Sequence, residues 1–260
     1  NKASFALPLY KNETDSVSLS FSGSQLHLNP SLQLNSSNYQ IPPSLSKAEI
    51  GIQFNQKRPQ FENWGIKATI GYAGDEPSSA NQELTYSFMA NYGYMSVDKK
   101  GFWNWMIYMS NNGPFINYFP IPGFVYIHKT VNFSGVFGFP ILSLQWDLSP
   151  KIKYSVSVLA VNLQSEITYG NLDHFQIYTH YSVTQQSYLP HDRIDKKDRL
   201  TLQEQKASFG FRRPFADQLM LEVQSGYSYD RSFFMGNKLL NKSKGSKPLD
   251  PQWYSQLSLK

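Results

Sequence analysis

Residues 63–73 read NWGIKATIGYA, and this stretch decides the fold class. Its apolar residues fall on alternate positions: Trp64, Ile66, Ala68, Ile70 and Tyr72 alternate with Gly65, Lys67, Thr69 and Gly71. Side chains of an extended strand point to opposite sides with period two, so the run reads as a strand with one apolar and one polar face.

The same pattern spreads outward. Before it, Ala48, Ile50, Ile52 and Phe54 oppose Lys47, Glu49, Gly51, Gln53 and Asn55. After it, Leu84, Tyr86, Phe88, Ala90, Tyr92 and Tyr94 oppose Glu83, Thr85, Ser87 and Asn91. Ile152, Tyr154, Val156 and Val158 oppose Lys151, Lys153, Ser155 and Ser157, and Leu219, Leu221, Val223 and Tyr227 oppose Glu222, Gln224, Gly226 and Ser228. The apolar faces carry no charge, whereas the polar faces mix small residues with Lys, Glu and Gln. Many runs reach nine to eleven residues, the length a tilted strand needs to cross a bilayer, while strands of soluble proteins average five or six.

Composition agrees. Hydrophobic residues make up 40% of the 260, yet aromatics reach 15%. Mean hydropathy is −0.44, and no apolar run is long enough for a membrane helix. A membrane-spanning barrel accounts for both facts, because half of its strand residues face hydrocarbon and aromatics crowd the interfaces. No cysteine is present, which removes disulfides, thiolate metal sites and cysteine nucleophiles. The net charge of +5 is spread over strands and connections, so nucleic acid is not the expected partner. The start at Asn1 has no charged segment followed by an apolar one, and the expectation is an exported chain whose signal peptide has been removed.

The reading is therefore an all-β fold, a single antiparallel transmembrane β-barrel over 1–260 in the outer membrane of a Gram-negative bacterium. Twelve strands are expected near 16–24, 46–56, 63–73, 83–95, 101–111, 141–148, 151–161, 163–170, 172–184, 200–212, 218–231 and 252–260. Long and short connections then alternate, as outer loops and periplasmic turns do, with both ends of the chain on the periplasmic side. Residues 111–140 break the alternation with Pro114, Pro120 and Pro122 and recurring Phe and Gly. Proline removes a ladder donor, and the expectation is an outer loop folded into the barrel mouth, partly filling the lumen with Pro122, Phe124, Tyr126, His128, Phe133 and Phe137. The alternative makes this stretch two more strands, fourteen in all.

By parity the lumen is lined by Lys47, Glu49, Lys67, Glu83, Lys151, Lys153, Glu166, His174, His180, Ser182, Lys206, Arg212 and Glu222. Charges of both signs in a narrow barrel pair across the interior and favour a filled lumen. His174 and His180 lie six residues apart on one strand, about 20 Å, too far to share a metal; no metal and no cofactor are expected. The mixed-charge run 191–199 reads as a solvated outer loop, able to meet lipopolysaccharide phosphates or divalent cations.

In pattern the whole chain resembles small-to-medium Gram-negative outer-membrane β-barrels. Within it, His180-Tyr181-Ser182 resembles the His-x-Ser pair of outer-membrane phospholipase A, whose barrel also has twelve strands. That resemblance implies His as the base for the Ser hydroxyl, with a third group to orient it. The chain departs from the pattern in having no Asn-Gly after Ser182, and its pair points to the polar side. Three function classes follow: a narrow channel or transporter for small solutes, a non-catalytic subunit of a larger outer-membrane assembly with other envelope proteins as partners, and a membrane-embedded lipid acyl hydrolase. The expectation is a non-enzyme of the first or second kind, in contact with outer-membrane lipid and lipopolysaccharide.

Overall fold

The computed structural model describes residues 2–28, 32–35, 39–58, 62–75, 83–96, 100–113, 118–171, 173–193, 195–216, 219–236 and 244–259. Among them there is no helix and there are sixteen strands. The first six are β1 (Lys2–Lys11), β2 (Asp15–His27), β3 (Ser44–Lys57), β4 (Asn63–Gly74), β5 (Leu84–Met95) and β6 (Gly101–Ser110). Then come β7 (Ile121–Lys129), β8 (Phe133–Phe139), β9 (Ile141–Ser149), β10 (Ile152–Leu159) and β11 (Asn162–Asn171). The last are β12 (Phe175–Tyr188), β13 (Arg199–Ala216), β14 (Leu219–Gly236), β15 (Ser246–Leu249) and β16 (Gln252–Leu259). They form one antiparallel sheet in sequence order from β1 to β15, with β16 also on β14. The sheet is not closed: among the described residues β1 pairs only with β2, and β16 only with β14.

The apolar alternation fixes the register, because a slip of one residue would send every side chain to the other face. Leu19, Ile52, Ala68 and Phe88 form one continuous row across β2 to β5. Phe21, Ile50, Ile70 and Tyr86 form the next. In β9 to β11, Leu142 pairs Val158 and Val158 pairs Leu163, again apolar to apolar. This face is the uncovered one: Ile52, Ile70, Trp105 and Ile167 are each about half exposed, at 51–52%. A soluble sandwich would bury that face against a second sheet, and here it stays open.

All twelve expected strands are present, with ends moved by a few residues, and four more join them: β1, β7, β8 and β15. The expectation of an in-folded loop at 111–140 is corrected. Residues 121–129 and 133–139 are β7 and β8, which take their places in the sheet between β6 and β9, while 114–117 lie outside the described residues. Pro122 is tolerated because it stands at the second position of β7, where a strand can lack one donor. The side chains expected in the plug belong to strands of the sheet. Phe124 lies 5.9 Å from the Trp105 ring, and Phe133 lies 5.1 Å from the Trp146 ring. Pro122, Phe124 and Phe137 are exposed, while Tyr126 and His128 are half-buried with their rings stacked.

The chain folds into two compact units. Unit 1 is 1–125, 186–202 and 233–247, and unit 2 is 126–185, 203–232 and 248–260. Unit 1 holds the dry core, and it sits at the end of β3 and β4 where the connections are long. Leu34, Ile41, Leu45, Leu200, Phe233 and Met235 are each at most 1% exposed, and Tyr39, Ala73, Tyr188 and Leu189 join them. Full burial of such side chains stabilises by roughly 1.5–3 kcal/mol each. The mixed-charge run 191–199 is therefore not a freely solvated loop, because its neighbours Leu189, Pro190 and Leu200 anchor it in this core.

Candidate functional site

The polar face of unit 2 is built on β11 to β14. Register places Glu166 opposite His180 and Thr168 opposite Tyr178. Arg212 reaches this row and grips Glu166 with both terminal nitrogens, Nη1 to Oε1 at 2.9 Å and Nη2 to Oε2 at 2.6 Å. Its Nε donates to Glu222 Oε1 at 2.7 Å. The guanidinium lies 4.1 Å from the centre of the Tyr178 ring, so it is stacked as well as doubly paired. A second cluster follows along β13: Lys206 pairs with Glu204, Arg231 Nε stands 3.7 Å from Glu204 Oε2, and Ser228 donates to the same oxygen. Three cations face three carboxylates, and the charge closes on itself.

His180 and Ser182 share this face on the same strand. Two residues apart on one strand is about 7 Å, no hydrogen bond joins them, and His180 Nδ1 is buried with no partner. Glu166, the carboxylate opposite His180, is held by Arg212. Lys153 and Asp147 stand 3.9 Å apart with both side chains more than a third exposed, a pair worth little. Two residues expected to line the lumen lie elsewhere. Lys151 and His174 are exposed in the turns after β9 and β11. Ser149 Oγ accepts the Lys151 N–H and Asn171 O accepts the His174 N–H, so each strand ends before its polar side chain can join the face.

Unit 1 divides its polar face into a sealed end and an open stretch. At the sealed end Glu83 is fully buried, its carboxylate lying over Gly74, and Lys47 stands 4.7 Å from the centre of the Tyr188 ring. The segment 186–202 is bolted there. Leu189 N–H donates to Ala73 O at 2.7 Å, His191 N–H to Asp75 Oδ1 at 2.8 Å, and Asn112 Nδ2 to Ser187 O. Arg199, 6% exposed, donates to the carbonyls of Gly113 and Asn111. Burial pushes the Asp198 carboxyl above the ordinary carboxylate range and the Arg193 guanidinium below its own.

Further along β3 and β4 the face is open. Gly51, Ser20 and Thr69 stand in one row, with Glu49 one row nearer the sealed end and Lys67 one row beyond. Among the described residues no group of three His, Cys, Asp or Glu side chains is placed to hold a metal.

Residues 129–260 match the model of a family described as a domain of unknown function, DUF6268. The chain belongs to this family. The DUF6268 match begins at the last residue of β7 and takes in Glu166, Glu204, Arg212 and Glu222, whereas β1 to β6 precede it. No curated protein and no solved structure matches the chain.

Sequence reasoning placed Glu166, Arg212 and Glu222 on one face through parity, and the structure brings them together. It missed Glu204, Arg231 and Arg199. Glu204 carried the same parity signal as Lys206 and Arg212. Arg199 carried none, because its partners are carbonyl groups.

Proposed function

We propose that this DUF6268 chain is a transmembrane β-barrel of a Gram-negative outer membrane, non-catalytic and shut to free solute flow at its long-connection end. The observation that carries the membrane reading is the banding of the uncovered face. Trp64, Tyr92 and Trp105 make one aromatic row across β4 to β6 near the short turns. Tyr72 lies eight residues up β4 from Trp64, and Tyr86 eight residues from Tyr94, with Ile66, Ala68, Ile70, Phe88 and Ala90 between the bands. Eight residues span about 27 Å along a strand, or about 20 Å of height at the roughly 35–45° tilt of barrel strands, comparable to the apolar band of about 25 Å that aromatic girdles flank.

Two observations support the shut interior: the dry core that anchors 186–202 in unit 1, and the self-neutralised charges of unit 2. A barrel of this kind serves either as a gated transporter for small polar solutes or as a non-conducting subunit of an envelope assembly. The open stretch of polar face in unit 1 favours the transporter. Planar-bilayer recording tests the reading. The whole protein is expected to show no steady conductance, and replacing 189–198 by a short Gly-Ser linker is expected to produce open steps. Steady porin-like conductance in the unaltered protein would contradict it.

A further inference from the structure

Every carboxylate in the unit 2 clusters of the polar face is matched by a cation, and unit 1 contains a pair that is not. Glu49 on β3 and Lys67 on β4 both line a hollow of about 460 Å³. Among the described residues neither forms an ion pair. Glu49 has Ser22 Oγ within 3.5 Å and is otherwise exposed, and Lys67 is half-buried.

Register keeps the two apart. Glu49 pairs with Gly71 and Lys67 with Gln53, so the row of Gly51 and Thr69 runs between them. That row is kept low by small side chains. A Cβ on Gly51 would fall 2.8 Å from Ser20 Oγ and 2.9 Å from Thr69 Cγ2, so any larger residue there would occupy the hollow. Ser4, Ser20, Ser22 and Thr69 supply hydroxyl groups along its floor. The hollow thus has a carboxylate on one side, an ammonium on the other, and hydrogen-bonding groups beneath.

We propose that this hollow binds a small zwitterion, a short peptide or amino-acid-like solute whose ammonium meets Glu49 and whose carboxylate meets Lys67. A neutral sugar would use the hydroxyl floor but would leave both charges unmatched. An ion of one sign would be repelled by one of the two walls. The inference rests on the barrel reading, which makes this face a lumen wall, and it names the class of solute.

Triglycine is the probe, compared by calorimetry with its N-acetyl and C-amide derivatives, using the whole protein folded in detergent. Glu49→Gln and Lys67→Met keep side-chain volume, and retention of the folded band on unheated gels confirms that each variant folds. Triglycine is expected to bind, and each substitution to weaken it about tenfold. Acetyl-triglycine, which lacks the ammonium, should be insensitive to Glu49→Gln, and triglycinamide, which lacks the carboxylate, to Lys67→Met. A folded, heat-modifiable protein that binds no triglycine, or binds it equally in both variants, overturns the site and leaves the barrel standing. A protein without heat-modifiable mobility overturns the barrel reading, and the site loses its lumen setting with it.

Discussion

The guanidinium of Arg212 stands 4.1 Å from the centre of the Tyr178 ring, and a Cβ at Gly210 would fall 2.5 Å from Tyr178 Cζ and Oη. Glycine, ring and guanidinium form one stack on the polar face, and Glu166 and Glu222 grip the stacked cation. Arg212→Met keeps the stem but leaves two largely buried carboxylates without their partner. It should cost about 3 kcal/mol, read as a lower midpoint in denaturant unfolding. Adding Glu166→Gln and Glu222→Gln to that variant should recover most of the loss.

Gly210→Val tests the other side of the same stack. The new side chain would strike Tyr178 and lie close to Val223 O, whose own Cβ contact is 2.7 Å. A loss of roughly 1–3 kcal/mol is expected, and Tyr178→Ala in the same chain should relieve part of it.

How much of this was legible beforehand follows from the physics of each part. Alternation reports a strand and its face directly, which is why Lys47, Glu49, Lys67, Glu166, Arg212 and Glu222 were found from parity alone. It fails where prolines interrupt it, and β7 was read as a plug because Pro120 and Pro122 stand at its start. It also says nothing of turns, so Lys151 and His174 were assigned to strands that begin one residue after them. The unit 1 core was hidden for a different reason. Leu34, Ile41 and Leu189 come from connections with no period, and their meeting depends on contacts distant in sequence.

The core of unit 1 makes its own prediction. Leu200 is fully buried beside the anchored segment, and Leu200→Ala should destabilise by about 2–5 kcal/mol. Protease should then cut within 191–198 at protein concentrations where the unaltered chain is resistant.

Asp198 sets a pH dependence. Its carboxyl titrates above the usual range because it is buried, with Oδ1 unpartnered. A raised carboxyl pKa contributes stability that is fully present below the unfolded pKa and is lost as pH rises through the folded one. Asp198→Asn keeps an acceptor for the Asp195 N–H and carries no charge. The variant should match the unaltered protein near pH 3.5 and melt a few degrees higher at pH 7, about the shift of 1 kcal/mol in a protein of this size.

The claim that the uncovered face meets lipid is tested most directly at single sites on β4. The chain has no cysteine, so each substitution gives one labelling position. Spin labels at Ile66→Cys, Ala68→Cys and Ile70→Cys, in protein reconstituted into liposomes, should collide with oxygen and not with a water-soluble nickel complex. Labels at Gly65→Cys, Lys67→Cys and Thr69→Cys should show the weaker oxygen contact of a protein interior. An oxygen maximum at Ala68→Cys with two-residue alternation is the result this account predicts. Equal nickel access at all six positions would contradict it.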